Sequence, residues 1–296
     1  MATELNNRRL PDWIKLKSRL SADETQENVR KLVKENNLNT ICISGNCPNI
    51  GECWQAGTAT FMILGSICTR ACKFCGVETG RPHPPDIDEP KRIAESIRKM
   101  GIKHAVITSV DRDDLSDRGA GFWAQTIRMI KEINPLVTME TLIPDFDGNA
   151  EWIGQVTEAG PEVISHNLET VRRLTPAIRT KARYDTSLAV IRQISDSGIV
   201  SKSGIMLGLG ELPEEIIETM DDLLKAGCQV MTIGQYLTPS RKHLPVSEWI
   251  TPEVYENYER IGLEKGFRFV ESRPLVRSSY HAEKHVTSRD DTKDQL

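Results

Sequence analysis

Along most of the chain, short apolar runs alternate with stretches in which apolar residues recur every three or four positions. The runs are Phe61–Leu64, Ala105–Thr108, Val137–Leu142, Val163–Ser165, Gly204–Leu209 and Val230–Ile233. Between them stand Ile93, Ile97 and Met100; Trp123, Ile127 and Ile130; Trp152, Ile153 and Val156; Leu188, Ile191 and Ile194; and Ile216, Met220 and Leu223. Short runs with polar flanks read as buried strands, and the three-and-four spacing reads as the inner face of a helix. Pro90 stands where a first helical turn tolerates it. Strand–helix units repeated in this way imply a parallel sheet with helices outside. A doubly wound sheet and a barrel both fit. With no dinucleotide fingerprint, six consecutive units favour an incomplete barrel, an α/β partial TIM barrel of the form (β/α)6.

Ahead of the barrel, Ser21-Ala-Asp-Glu24 has the form of a capping box, followed by Val29, Leu32 and Val33 as a helical face. An irregular stretch, Asn36–Gly57, comes next. Beyond the barrel, Phe267–Val270 leads to a polar tail, His281–Leu296, expected to be unordered at its end. The pattern divides the chain into an N-terminal extension, 1–57, a barrel, 58–250, and a C-terminal segment, 251–296.

Composition narrows the class. At 296 residues with 39% hydrophobic and 27% charged residues, the chain has the make-up of an ordinary globular protein. Its net charge of −4 offers no basic stripe of the kind a nucleic-acid binder displays. Residues 1–20 mix acidic and basic side chains without an apolar core, so no secretory signal is read there. No apolar run reaches the roughly 18 residues of a membrane helix. A cytoplasmic protein bound to neither nucleic acid nor membrane is expected.

The cysteines change the picture most. Six of the seven, all but Cys228, fall between Cys42 and Cys75. In a large chain without an export signal, clustered thiols more often bind metal than form disulfides. Cys68, Cys72 and Cys75 follow the first strand with C-x3-C-x2-C spacing, on the loop side where barrel enzymes place their chemistry. Three thiolates on one short loop can hold three irons of a [4Fe–4S] cluster and leave the fourth open. Zinc prefers a closed set of four donors and finds no fourth here. Positions 68, 72 and 75 would also share a helix face, so three buried thiols without metal stay open as an alternative, although Arg70, Lys73 and Gly76 suit a helical core poorly. Cys42, Cys47 and Cys53 form a second triplet, C-x4-C-x5-C, which fits common zinc patterns poorly; reactive thiols are its other reading. Cys228, between a helix and a strand, reads as a plain buried thiol.

The second triplet, with Phe74 before its last cysteine, resembles the radical S-adenosylmethionine superfamily. Adding Cys42–Trp54, Gly57–Gly65, Val106–Leu115, His166–Glu169, Ser203–Glu211, Gly234–Leu237 and Arg277–Ala282, the chain is similar to the lipoyl synthase family over nearly its whole length. That resemblance implies a sulfurtransferase with two [4Fe–4S] clusters and S-adenosyl-L-methionine. Cys68, Cys72 and Cys75 would hold the cluster that cleaves S-adenosylmethionine. Cys42, Cys47 and Cys53, with Ser279 as fourth ligand, would hold an auxiliary cluster that is sacrificed as the sulfur source. Without the resemblance, Arg277–Tyr280 would read as a surface turn. The reaction implied is insertion of two sulfurs at C6 and C8 of an octanoyl chain on a lysine of a lipoyl carrier protein. Implied partners are octanoylated lipoyl domains of 2-oxoacid dehydrogenase E2 subunits and the glycine cleavage H protein, an electron donor such as flavodoxin or ferredoxin, and iron–sulfur assembly or repair proteins. The two terminal segments are expected to close over the barrel mouth.

Polar residues at predicted strand ends, Ser109, Asp111, Asn167, Glu169, Glu211 and Gln235, are candidates for contacts to S-adenosylmethionine. Loop capping and salt bridges are the plainer roles for each. Two rival functions keep their place: a tRNA methylthiotransferase, which needs more nucleic-acid surface than this charge balance supplies, and a non-catalytic electron carrier or zinc-binding module.

Overall fold

A computed structural model describes residues 10–14, 31, 33, 38–44, 47 and 49–286. The capping box at Ser21 and the end of the polar tail lie outside the described residues. Among the described residues nine strands are numbered in chain order: β1 (Thr58–Ile63), β2 (Ile67–Cys68), β3 (Glu78–Thr79), β4 (His104–Ser109), β5 (Thr138–Leu142), β6 (Val163–Ser165), β7 (Val200–Leu207), β8 (Val230–Gln235) and β9 (Phe269–Ser272). Seven of them form one sheet in the order β1-β4-β5-β6-β7-β8-β9, every pair parallel. Leaving aside the separate β2–β3 pair, each neighbour in the sheet is the next strand in sequence, joined by a helix, as in a (β/α) barrel. β1 and β9 are its two ends, so the barrel is partial. The sheet runs through Ser272, which places a sixth helix, Pro252–Lys265, and the seventh strand in the C-terminal segment.

The helices bury the faces that periodicity assigned them. Ile93, Ile97, Trp123, Ile127, Ile130, Ile153, Val156, Ile191, Ile194, Met220 and Leu223 are all at most 1% exposed. Each such side chain contributes about 1.5–3 kcal/mol by leaving water. β1 is buried on both faces, as expected for a parallel strand between helices and a barrel interior.

After β9 the chain turns along the open side. Asn49 Nδ2 donates to the carbonyl of Leu275 (2.7 Å), Tyr280 Oη to Glu52 Oε1 (2.9 Å) and Thr58 Oγ1, at the start of β1, to Glu283 Oε2 (3.0 Å). The C-terminal stretch thereby bridges the two ends of the sheet. His285, on the short 3-10 turn Ala282–His285, is wholly buried against the Phe269 ring, 5.6 Å between centroids. Its Nδ1 lies 3.3 Å from Lys202 Nζ, which makes a 2.8 Å ion pair with Glu140. Lys202 and Glu140 are both fully buried, and Ser165 Oγ donates to the same carboxylate at 2.7 Å. Burial works against the charge on Glu140, but Lys202 and His285 outweigh it and hold its pKa down at about 2.

Candidate metal centres

Cys68, Cys72 and Cys75 lie on the loop that leaves β1. β2 and β3 pair across its base, Ile67 with Glu78 and Cys68 with Thr79. Between them the backbone is irregular, with a turn closed from Cys75 N–H to the Cys72 carbonyl (3.0 Å). The three thiols therefore do not ride on a helix, and the reading of a shared helical face falls. The loop is braced by Arg70, whose guanidinium pairs with Asp113 (2.9 Å), Asp145 (2.8 Å), Asp111 (3.4 Å) and Asp147 (3.7 Å). Those carboxylates stand on the segments that follow β4 and β5. The backbone N–H groups of Arg70 and Asp111 both point at Cys68 Sγ, each at 3.4 Å. Amides aimed at a sulfur stabilise it as a thiolate and tune a cluster bound through it.

Burial, reinforced by Asp111, pushes the Cys68 thiol up to about 11, and burial with the neighbouring thiols does the same for Cys75. Thiols held protonated in this way are poor free nucleophiles. They suit metal ligation, where the ion's own charge removes the proton. Among the described residues no group of three His, Cys, Asp or Glu side chains converges on a single metal ion.

The polar candidates separate by what their atoms already do. Glu211 accepts from the N–H groups of Gly208 (2.9 Å) and Leu209 (3.0 Å) and from Thr170 Oγ1 (3.2 Å), closing the turn after β7. Gln235 donates to the carbonyls of Leu207 and Glu248 (3.0 Å each) and accepts from Ile250 N–H (3.0 Å) and Tyr255 Oη (3.3 Å). Both are committed to the scaffold. Asp111 faces Arg70 and Cys68 Sγ. By contrast, Ser109 Oγ and Asn167 Oδ1 are buried without any partner, a condition that costs roughly 1–3 kcal/mol unless something else fills it. Glu169 stands beside Asn167 with φ of 68°, an uncommon backbone for a non-glycine residue. Burial raises its pKa, against the pull of the Arg179 guanidinium. Arg179 was not anticipated; it sits beyond the four-residue helix Thr175–Ile178, and no local pattern marks it. Its buried Nε has no partner, and its charge faces Cys72 and Glu169. Unpaired buried atoms of both polarities beside the cysteine loop fit a zwitterionic, hydroxyl-bearing molecule such as S-adenosylmethionine.

The first triplet sits on two short helices, Ile41–Ser44 and Ile50–Gln55, with Cys47 between them. Cys42 is near enough to add to the burial that raises the pKa of Cys47. Burial comes first and Cys47 and Cys42 next in lifting Cys53 to about 12. The C-terminal segment faces this triplet. The charge of Arg277 is felt at Cys47, where it opposes the rise in pKa, and that of Glu283 at Cys53, where it adds to it. Between them Arg277–Tyr280 forms a turn, closed by Tyr280 N–H donating to the Arg277 carbonyl (2.9 Å). Ser278 and Ser279 are its two central residues.

A Radical SAM superfamily pattern matches residues 62–223. A lipoyl synthase of Treponema denticola is 62% identical over 282 residues, covering 95% of this chain and 97% of that protein. The chain belongs to the lipoyl synthase family. A lipoyl synthase of Bacteroides thetaiotaomicron is 59% identical over 278 residues, 94% of this chain and 98% of that one. The fold is also that of solved radical S-adenosylmethionine proteins. SuiB of Streptococcus suis, in a crystal structure bound to S-adenosylmethionine, matches with a TM-score of 0.58 at 10% identity, covering 75% of this chain and 52% of that one. Escherichia coli coproporphyrinogen III oxidase matches with a TM-score of 0.54 at 10% identity, covering 71% and 53%. As a member of the lipoyl synthase family, the chain is a radical S-adenosylmethionine sulfurtransferase whose cofactors are S-adenosylmethionine and [4Fe–4S] clusters. No helix among the described residues is long and apolar enough to cross a membrane.

Proposed function

We propose that the two triplets divide the work of inserting two sulfur atoms, at C6 and C8, into an octanoyl chain carried on a lysine of a lipoyl domain. Cys68, Cys72 and Cys75 hold the cluster that meets S-adenosylmethionine. Cys42, Cys47 and Cys53, with Ser279, hold the cluster consumed as sulfur donor. The observation that carries this reading is the contrast between the two surroundings. Buried, unpartnered Ser109 Oγ, Asn167 Oδ1 and Arg179 Nε stand on the barrel segments around the loop of Cys68–Cys75, while Arg179 Nη1 is held by the Asn167 and Leu168 carbonyls and Ser187 Oγ. The other triplet instead faces a serine-bearing turn from the far end of the chain.

When bound, the clusters and S-adenosylmethionine supply the one-electron chemistry that unactivated C–H bonds demand and that side-chain acids and bases cannot deliver. The chain's own residues do the rest. Arg70 fixes the cysteine loop to the segments after β4 and β5. The N–H groups of Arg70 and Asp111 stabilise charge on Cys68 Sγ. Asn167 and Ser109 offer the acceptor and the hydroxyl that no protein group uses, and Arg179 an opposing charge for a carboxylate. Glu169, partly buried beside them, suits an ammonium or ribose hydroxyl. Ser279 offers an oxygen ligand, harder than thiolate and more readily released.

The same reading takes octanoylated E2 lipoyl domains and the glycine cleavage H protein as substrates, flavodoxin or ferredoxin as reductant, and cluster assembly proteins for rebuilding, all in the cytoplasm. It keeps the division into extension, 1–57, barrel, 58–250, and C-terminal segment, 251–296. The test is an anaerobic assay with an octanoyl-lysine peptide after the clusters are rebuilt with isotopically labelled sulfide. Lipoyl product carrying the label is expected, with two S-adenosylmethionine molecules cleaved for each. Cleavage that leaves the peptide unthiolated overturns the reading. So does product whose sulfurs both come from unlabelled sulfide in solution.

A further inference from the structure

A surface cavity of about 330 Å³ opens directly on the loop of the second triplet, lined by Cys72, Lys73 and Cys75 on one side and by Lys242, His243 and Leu244 on the other. Lys73 and Lys242 are exposed, as is Arg241 beside them. Some exposed cations of the chain meet carboxylates, among them Arg172, Arg173 and Arg260. Among the described residues, Lys73, Arg241 and Lys242 have no carboxylate partner, and no acidic residue lines the cavity. A chain of net charge −4 thus carries a local positive rim over two of its cluster cysteines.

The rim is firmly mounted. His243 Nε2 meets the Cys75 carbonyl at 3.0 Å, and its Nδ1 meets Ser240 Oγ at 2.8 Å. Lys73 N–H donates to the Ile178 carbonyl at 2.9 Å, and Leu244 N–H to the Lys73 carbonyl at 3.4 Å. Pro239 packs so closely on Gly76 that a Cβ there would sit 3.1 Å from the proline Cβ.

We propose that this cavity, rimmed by Lys73, Arg241 and Lys242, is where an acidic one-electron carrier protein docks to reduce the cluster on Cys68, Cys72 and Cys75. The inference rests on the reading of that triplet as the S-adenosylmethionine-cleaving site. Each cleavage needs one electron from outside, so one carrier centre is oxidised by one electron per turnover. Electron transfer weakens steeply with distance, and this cavity brings a partner against the backbone of two ligating residues. Redox encounters use small interfaces, and their rate depends on charge steering. The acyl carrier domain has a different destination. Its chain must also reach Cys42, Cys47 and Cys53, and none of the residues around that triplet lines this cavity.

The experiment compares the reconstituted protein with its Arg241→Glu/Lys242→Glu variant and, separately, with Lys73→Gln. Formation of 5′-deoxyadenosine is driven either by a reduced acidic ferredoxin or by saturating dithionite, with iron content checked for each protein. Reversal of the two charges is expected to slow the ferredoxin-driven rate about tenfold at low salt, with the gap closing in 0.5 M salt. Lys73→Gln should slow it less, and dithionite-driven rates should stay within about twofold of the parent. Equal ferredoxin-driven rates in all three proteins overturn the docking face while leaving the division of the triplets intact. A dithionite-driven rise in KM for an octanoylated lipoyl domain, with no loss of ferredoxin response, gives the face to the acyl carrier and also overturns the proposal. A parent protein that makes no 5′-deoxyadenosine with dithionite overturns the underlying reading, and the docking face with it.

Discussion

Replacing Lys202 with Met isolates the buried charge network that anchors the C-terminal segment. In the parent, the ammonium lies 2.8 Å from Glu140 and 3.3 Å from His285, with no exposed surface on either side chain of the ion pair. Removing the cation leaves a carboxylate in the barrel interior with Ser165 Oγ donating to it at 2.7 Å and a neutral His285 ring 4.0 Å away, but no opposing charge. Breaking a fully buried pair from one side costs about 3–5 kcal/mol, because the remaining charge is stranded. At roughly 2–4 °C per kcal/mol for a domain of this size, the unfolding midpoint should fall by about 10 °C. Calorimetry on the metal-free protein is the assay, since bound clusters would add their own stabilisation. The Lys202→Met/Glu140→Gln double variant, which strands no charge, should recover most of the loss. A single variant within 2 °C of the parent, or a double variant no better than the single, refutes the reasoning.

Replacing Cys68, Cys72 and Cys75 together with Ala should remove one [4Fe–4S] cluster and all S-adenosylmethionine cleavage, while the same change at Cys42, Cys47 and Cys53 should remove one cluster and all sulfur insertion yet leave 5′-deoxyadenosine formation. Iron and sulfide analysis with product chromatography checks both, and full metal content in either variant sinks the assignment. Ser279→Ala should alter the auxiliary cluster's spectroscopic signature and depress lipoyl product more than Ser278→Ala does, and the reverse ranking would move the ligand to Ser278. Burial and Arg179 hold His166 at about 4, and burial and Lys202 hold His285 at about 4, so both stay neutral in the fold. The unfolded chain takes up those protons first as pH falls below about 6.5, so each histidine removes stability between that pH and about 4, at up to about 1.4 kcal/mol per pH unit. His285→Gln should flatten that loss in urea midpoints measured at pH 7.5 and 5, and parallel losses in parent and variant would count against it.

The strands were legible because strands buried between helices and a barrel interior are mostly apolar, as in Phe61–Ile63, Ala105–Ile107 and Val230–Ile233, although β5 and β7 also bury Glu140 and Lys202. The helix Pro252–Lys265 escaped notice because its buried face is Tyr255, Tyr258 and Gly262, a weak apolar stripe. Gly262 is there for packing, since a Cβ would come within 2.8 Å of Val270. β2 and β3, two residues each, are too short to carry a period. In the candidate site, cysteine spacing alone drew attention to Cys68, Cys72 and Cys75, which the fold gathers on the loop that leaves β1. The Arg70 brace was invisible because its carboxylates come from positions 41 to 77 residues downstream, joined only by the fold. Glu211 and Gln235 stand at the strand ends where they were sought, but position does not reveal whether a side chain's hydrogen bonds are already spent on its neighbours.

The contacts that face the first triplet span almost the entire chain: Asn49 to Leu275, Glu52 to Tyr280 and Thr58 to Glu283. A ribosome makes these partners in opposite order of need. Cys42, Cys47 and Cys53 emerge early, and the turn that faces them is among the last parts to appear. The loop of Cys68–Cys75 finds its brace much sooner, once Asp145 and Asp147 have been added. During synthesis the loop of Cys68–Cys75 can therefore take shape while the surroundings of Cys42, Cys47 and Cys53 still lack a wall. A chain ended before Arg277 should mature as a one-cluster protein, able to open S-adenosylmethionine and unable to thiolate anything.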